Sequence, residues 1–166
     1  MRVLGLDPGL TCAGFGVVES TRTGLKALDH GTIRTTGSEV APRLATLHGE
    51  IEALLTRHRP DAVAVERVLF NSNVRTAMSV GQAAGVALLA AYRAGCEIAE
   101  YTPSEMKLAV TGYGSADKRQ VQQMVARLLG LPAPPRPPDA ADALGLAIVH
   151  LQARRMRTLQ REAADA

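Results

Sequence analysis

The stretch RVLGLDPGLTCAGFGVV, residues 2–18, decides the fold. It holds two short apolar runs, residues 2–6 and 13–18, separated by a turn that begins Asp-Pro-Gly. Apolar runs of this length bounded by turn residues predict two strands joined by a tight turn. A third strand is predicted over residues 25–34, so the chain opens with three consecutive strands.

The apolar period changes after the third strand. Apolar residues recur at helical spacing from Leu44 to Leu55, and Arg59-Pro60 ends that helix. Strands and helices follow, with strands at 62–65 and 97–101 and helices at 76–94, 103–110, 117–129 and about 139–155. Parallel strands need helical crossovers, so this order predicts an α/β fold with a mixed five-stranded sheet flanked by helices.

Length and composition indicate one domain. A chain of 166 residues with 46% apolar residues is long enough to bury a sizeable core. We place this domain at residues 1–155, with the proline-rich residues 132–138 as a stiff connector to the last helix. Residues 156–166 are polar and charged, which predicts a flexible basic tail.

The charge balance permits a polyanionic partner without proving one. The net charge is only +3, although four arginines lie close together near the end of the chain: Arg154, Arg155, Arg157 and Arg161.

Several features predict a reduced, cytoplasmic protein. Cys12 and Cys96 are far apart and form no CxxC pair, so neither a zinc site nor a disulfide framework is indicated. The opening MRVLGLDPG breaks its apolar run too early for a signal peptide. The uncharged residues 76–92 are short and rich in Ala and Gly, which favours a buried helix over a membrane span.

Four acidic residues occupy positions typical of a functional site. Asp7 follows the first strand and Glu66 follows the strand at 62–65, and open α/β sheets bind ligands at the carboxyl ends of their strands. Asp139 and Asp142 begin the last helix, where their i, i+3 spacing puts both on one face. Taken singly, each acid is more simply explained as a turn residue, a surface charge or a helix cap, and only their joint pattern favours a functional site.

A joint cluster of these acids would have a clear chemistry. Carboxylates brought together without cations raise one another's pKa and cost stability, so a cluster makes sense mainly as a cage for hard divalent ions such as Mg²⁺ or Mn²⁺. Two such ions roughly 3.5–4 Å apart can activate a water and stabilise the leaving oxygen of a phosphodiester. The pattern therefore predicts a metal-dependent nuclease.

Five ordered segments give the sequence a family resemblance. They are GLDPGLTCAGFGVV at 5–18, AVERV at 64–68, GQAAGVAL at 81–88, GYGSADKRQV at 112–121 and DAADALGLAIVH at 139–150. Together they make the chain resemble the RuvC family of Holliday-junction resolvases over nearly its whole length. The resemblance implies an RNase H-like fold, a homodimer, and paired symmetric nicks in a four-way DNA junction during recombination and repair. It also implies two Mg²⁺ ions per active site, with Mn²⁺ able to substitute, and the RuvAB branch-migration complex as partner.

The resemblance also assigns residues. Asp7, Glu66, Asp139 and Asp142 fall on the family's metal-binding acids. Lys107 and Lys118 fall on basic positions that the family uses near the scissile phosphate or for DNA contact, and we expect the neighbouring Arg119 to contact DNA as well.

The segment after Glu66 departs from the family pattern. The family usually has an aromatic residue where this chain has Leu69, and Phe70 follows one residue later; Arg67 replaces the more usual glutamine. We expect Phe70 to face DNA, because the residues that follow it, 71–73, are polar.

Parts of the sequence are also compatible with three other functions. DPGLTCAGFG is similar to the first phosphate loop of the actin and sugar-kinase superfamily, but those enzymes need two such domains and this chain offers one. A ribonuclease of the YqgF type and a junction-binding protein without catalysis remain alternatives. Binding alone needs no carboxylate cluster, because carboxylates repel phosphate in the absence of metal.

Gly81 and Gly85 lie four residues apart in a predicted helix. This spacing favours close backbone approach, either within the core or across a dimer.

Overall fold

The computed structural model describes residues 1–67 and 74–164 of the chain. Its strands are β1 (Arg2–Asp7), β2 (Cys12–Thr21), β3 (Gly24–Arg34), β4 (Ala62–Glu66) and β5 (Glu97–Tyr101). Its helices are α1 (Val40–His58), α2 (Val74–Arg93), α3 (Pro103–Thr111), α4 (Lys118–Leu129) and α5 (Pro138–Ala164). Leu69 and Phe70 lie outside the described residues.

The strands form one mixed sheet in the order β3-β2-β1-β4-β5. β1 and β2 pair antiparallel, as do β2 and β3, whereas β4 lies parallel to both β1 and β5. The predicted five-stranded α/β sheet is confirmed. Because β1 and β4 run in the same direction at the centre, their carboxyl ends lie side by side.

Successive side chains of each strand point to opposite faces of the sheet, so the strands contribute to two apolar layers, one on each face. Val3 of β1 belongs to the layer formed with α3, α4 and α5, and Leu4 belongs to the layer formed with α1 and α2. The buried central strands explain why residues 62–65 are continuously apolar.

Helix α5 lies directly on the sheet. Nearly every residue from Ala140 to Leu151 is buried, which makes this half of the helix apolar on all sides. Glycines in the strands permit the approach: a Cβ on Gly5 would lie 1.9 Å from the carbonyl oxygen of Ala143, and one on Gly16 would lie 2.7 Å from Leu144.

The extent of α5 differs from the sequence prediction at both ends. Pro138, assigned to the non-helical connector, is the first helical residue, a position where proline suits the helix because its missing N–H would have no intrahelical partner. The helix also continues past Arg155 to Ala164. No Gly or Pro follows Pro138, except Gly145 within the core, so nothing in the sequence of residues 156–164 ends the helix. The flexibility of this segment stays a prediction.

In the described parts of the chain, residues 1–67 and 74–164, no helix is both long and apolar enough to cross a membrane.

Candidate metal centre

Two of the predicted site acids sit side by side at the carboxyl edge of the sheet. Asp7 is the last residue of β1 and Glu66 is the last residue of β4. The parallel register pairs Leu6 with Val65, one residue earlier in each strand, so the two acids leave the sheet together. This is the position at which open α/β sheets bind ligands.

The other two acids come from the first turn of α5. Their carboxylates meet that of Asp7: one ligand oxygen from each of Asp7, Asp139 and Asp142 lies within 4.8 Å of the others. Glu66 is not in this tightest group, but it is close enough for its charge to raise the pKa of Asp7. The geometry therefore brings three of the four predicted acids together, with Glu66 near them.

The acids perturb one another strongly. Burial, followed by the charges of Glu66, Asp142 and Asp139, raises the pKa of Asp7 to about 8. Burial and then the charge of Asp142 raise the pKa of Glu66 to about 7. The pKa of Asp142 is raised as well, chiefly by burial. Half-buried carboxylates this close together hold their negative charge at a cost unless a cation joins them.

Two lysines face this cluster. The charge of Lys118, at the start of α4, lowers the pKa values of Asp7, Glu66 and Asp142, and the charge of Lys107, in α3, lowers those of Glu66 and Asp142. Lys118 is exposed and Lys107 half-buried, so both ammonium groups are accessible beside the acids. Arg119 is also exposed, but it is not among the charges that shift these acids.

Cys12 is a member of the site that sequence reasoning missed. Its thiol Sγ, at the start of β2, donates a hydrogen bond to Oδ2 of Asp139 over 3.4 Å. Burial and this bond raise the pKa of the thiol, which keeps it protonated and able to donate. No spacing signal in the sequence connects positions 12 and 139.

The donor set fits a hard divalent cation. Carboxylate oxygens are the ligands that Mg²⁺ and Mn²⁺ prefer, and three within 4.8 Å of one another are close enough to share one ion. Both cysteines are free and no pair of thiolates is present in the described chain, so the ligands of this cluster are those of a hard cation and not those of a soft metal.

The raised pKa values predict how stability depends on pH without metal. The pKa of Asp7 lies at about 8 in the fold against an ordinary value of 3.8. Its contribution to stability is therefore fully present below about pH 4 and is lost as the pH rises through 8. In EDTA at pH 8.5, Asp7→Asn should therefore raise the melting temperature. Each kcal/mol gained in the free energy of unfolding raises the melting temperature of a chain of this size by roughly 2–4 °C, and we expect a rise of at least that size.

Two comparisons check this prediction. The gain from Asp7→Asn should shrink toward zero at pH 4, and the exposed Glu50→Gln in α1 should leave the melting temperature unchanged at both pH values. Added Mg²⁺ should raise the melting temperature of the wild type more than that of Asp7→Asn. A wild-type protein more stable than Asp7→Asn in EDTA at pH 8.5 would contradict the prediction.

Solved structures place this fold in a known class. T. thermophilus RuvC in complex with Holliday junction substrate superposes with a TM-score of 0.88 at 38% identity, over 95% of this chain and 97% of that one. The yeast mitochondrial Holliday junction resolvase Ydc2 gives a TM-score of 0.65 at 13% identity, which bears on the fold alone. The sheet, the helices and the acids at its edge define an RNase H-like resolvase fold, as the sequence predicted.

The family follows from sequence comparison. Residues 3–150 match the family model described as crossover junction endodeoxyribonuclease RuvC. Relatives carrying that description come from Rubrobacter xylanophilus, 54% identical over 93% of this chain and 87% of its own length, and from Salinispora arenicola, 52% identical over 99% and 95%. The chain belongs to the RuvC family of crossover junction endodeoxyribonucleases.

Membership in this family confirms the predicted class of enzyme. It favours a DNA endonuclease over a YqgF-type ribonuclease and over a binding protein without catalysis.

Proposed function

We propose that this chain resolves four-way DNA junctions by paired symmetric nicks, with Asp7, Glu66, Asp139 and Asp142 as its catalytic acids. The observation that carries the proposal is the meeting of three of these carboxylates within 4.8 Å at the carboxyl edge of the sheet. Glu66, at the end of the neighbouring parallel strand, completes the set.

The four acids would hold two Mg²⁺ ions, for which Mn²⁺ would substitute. When bound, such ions activate the attacking water and stabilise the leaving oxygen of a phosphodiester. The role of the acids is to bind and orient: Asp7 and Glu66 project from two strand ends, and Asp139 and Asp142 close the site from α5. Because the backbone of both strands is buried in the sheet, this arrangement is set before substrate arrives.

Cations beside the acids would act on the DNA. Lys118 and Lys107 lie where their charges already affect the acids, so they can offset the negative charge that builds on the phosphate during cleavage. Arg119 extends the exposed positive charge along α4 and is proposed as a DNA contact. Phe70 is proposed as a DNA contact from its sequence position alone.

The experiment that tests this function uses a labelled mobile four-way junction. We expect paired nicks at symmetric positions when Mg²⁺ is present and none in EDTA. Structured RNA and linear duplex of the same length serve as competing substrates. Cleavage of the RNA in preference to the junction would contradict the proposed function, as would single nicks without symmetry.

A homodimer is part of the proposal, because two nicks symmetric about a junction need two active sites related by a two-fold axis. The exposed face of α2 is the proposed contact surface between the two copies. Met78, Leu89 and Tyr92 are 62%, 53% and 76% exposed. Gly81 and Gly85 lie on the same face, and a Cβ at either would meet no atom of the described residues within 4 Å.

This open space bears on the role of the two glycines. Core packing is the commoner explanation of such spacing in soluble proteins, but within one described chain no atom lies within 4 Å of a Cβ placed at either glycine. A stripe of exposed apolar side chains and glycines at intervals of three or four residues suits close packing of two copies of α2. We call this face the α2 stripe.

Gly85→Leu should weaken self-association, because a side chain at the centre of the α2 stripe would hold the two helices apart. We expect the dimer dissociation constant, measured by sedimentation equilibrium, to rise at least about tenfold, equivalent to 1.4 kcal/mol. Gly49→Leu is the matched control, since Gly49 is also exposed, helical and surrounded by open space, but in α1. Equal effects of the two substitutions, or a wild-type monomer at assay concentration, would count against the α2 stripe as interface.

Two further parts of the proposal rest on the family resemblance. RuvAB is the expected partner in junction processing, and the cytoplasm is the expected compartment. We also propose a nuclease domain at residues 1–155 and a basic tail at residues 156–166. Residues 156–164 of this tail continue α5.

A further inference from the structure

The turn between β1 and β2, residues 8–11, lies between Asp7 of the acid cluster and Cys12, which is bonded to a second acid of that cluster. Asp7 directly precedes it. Cys12 directly follows it, and the thiol of Cys12 donates to Oδ2 of Asp139 over 3.4 Å. A displacement of this turn would therefore change the position of Asp7 relative to Asp139.

An arginine from α1 holds this turn in place. Arg43 donates from Nη2 to Oγ1 of Thr11 over 2.6 Å and from Nε to Oγ1 of Thr35 over 3.0 Å. The hydroxyl of Thr35 in turn donates to the carbonyl oxygen of Leu10, and its N–H donates to the carbonyl oxygen of Thr11 over 3.2 Å. We call this set of bonds the Arg43 clamp.

The Arg43 clamp is built for rigidity. The hydroxyl of Thr35 accepts from a charged donor while it donates to a carbonyl, so each bond polarises the other. Thr35 and Leu10 are each only 6% exposed, which shields the inner bond of the clamp from competing water. The two bonds of Arg43 diverge from one planar guanidinium, a geometry that lysine cannot reproduce.

Position, and not charge, is the route by which Arg43 would act on the acids. The charges that shift the pKa of Asp7 belong to Glu66, Asp142, Asp139 and Lys118, and Arg43 is not among them. Its hydrogen bonds in the described chain go to the turn and to the residue that follows β3. The cluster thus has lysines that tune its charge and a separate arginine that fixes its frame.

We propose that Arg43 is a positioning residue, which fixes the turn at residues 8–11 and thereby sets the affinity of the acid cluster for divalent cations. This inference rests on the proposed function, in which the cluster binds metal. Loss of the clamp would let Asp7 and Asp139 vary in separation, so binding an ion would first have to order them.

Three substitutions test the clamp, with calorimetric binding of Mn²⁺ as the main measurement. Arg43→Lys keeps the charge and loses the two-pronged geometry, and Thr35→Val keeps the shape and loses the hydroxyl. Each should lower Mn²⁺ affinity about three- to tenfold, the effect of one or two net hydrogen bonds. Thr35→Ser keeps the hydroxyl and should stay within about twofold of the wild type. Arg57→Lys is the matched control, because Arg57 is 68% exposed on the same helix.

Cleavage and DNA binding distinguish a positioning role from a merely structural one, because only a positioning role changes the Mg²⁺ dependence of cleavage and leaves DNA binding unchanged. The Mg²⁺ concentration for half-maximal junction cleavage should rise in proportion to the loss of Mn²⁺ affinity, while the rate at saturating Mg²⁺ stays within about twofold. Junction binding in EDTA should be unchanged. Melting temperatures in EDTA identify any variant that fails to fold, and if Thr35→Val does so, Arg43→Lys compared with Thr35→Ser decides the outcome.

Two results would overturn the inference. Unchanged Mn²⁺ affinity in folded Arg43→Lys would mean that the turn holds without the clamp. Junction binding in EDTA that falls as much as cleavage would make Arg43 a phosphate contact. A wild-type protein that binds Mn²⁺ but leaves junctions uncut would contradict the proposed function instead, and the calorimetric series would still decide the role of Arg43.

Discussion

Asp7→Asn should abolish junction cleavage while junction binding persists. The substitution keeps the size of the side chain but removes a negative charge from the group of acids that meet within 4.8 Å. Ion-assisted stabilisation of charge in the transition state contributes several kcal/mol, so single-turnover cleavage should fall about 10³-fold or more. Binding in EDTA should equal that of the wild type below about pH 8, where Asp7 is mostly protonated, and should be tighter above it, because one carboxylate fewer then repels the phosphates.

The other acids give this prediction its internal comparison. Glu66→Gln should be as severe, and so should at least one of Asp139→Asn and Asp142→Asn. If both helix substitutions leave cleavage intact, these residues are helix caps and not ligands. For Asp7 itself, a loss of binding as large as the loss of cleavage would argue against a metal-binding role.

Gly14→Ala should both destabilise the fold and disable the site. A Cβ on Gly14 would lie 2.0 Å from the carbonyl oxygen of Asp139, a backbone atom that cannot move aside without moving the start of α5. Forcing extra atoms into a packed interior costs typically 1–3 kcal/mol. A displacement of α5 by about 1 Å would misplace Asp139 and lower cleavage about 10²-fold.

Two measurements separate these effects. Urea unfolding gives the loss of stability, and cleavage measured well below the melting temperature gives the loss of geometry. Gly49→Ala in α1 is the control: it should be neutral or slightly stabilising, because its Cβ meets nothing within 4 Å of the described chain and glycine is a poor helix residue. Cleavage by folded Gly14→Ala at the wild-type rate would show that Asp139 tolerates the shift.

The sheet was predictable from the sequence because its strands have clear local signals. Residues 62–65 are continuously apolar, as a parallel strand buried on both faces must be, and Asp-Pro-Gly marks the first turn. The end of α5 was misplaced for the opposite reason. Residues 156–164 are polar, which suggested a tail, yet an exposed helix extension is polar as well, and only a breaker would have told the two apart.

The acids of the site were predictable and its supports were not. Asp7 and Glu66 could be placed together because both end strands that were predicted to be buried, and Asp139 and Asp142 share a helical face. The bonds of Cys12 and Arg43 depend on how a turn, a strand end and a helix start meet in space. No local pattern encodes such contacts, since each joins residues distant in the sequence.

The openness of the α2 stripe also escaped prediction. The GxxxG spacing of Gly81 and Gly85 is the same whether a helix packs in a core or against a second copy. The direction in which that face points is fixed by the sheet beneath α2, which buries the alanines of the opposite face: Ala83, Ala87, Ala90 and Ala91.

Helix α5 carries two of the proposed catalytic acids in its first turn and forms the centre of an apolar layer with its next three turns. Segments of a protein open to solvent in cooperative units, and a helix buried on all sides opens only when the whole molecule does. Amide protons just beyond Asp142 should therefore exchange only through global unfolding. The edge of the sheet that carries the acids should then not unfold locally. Heat should inactivate the enzyme only at the temperature at which its core unfolds.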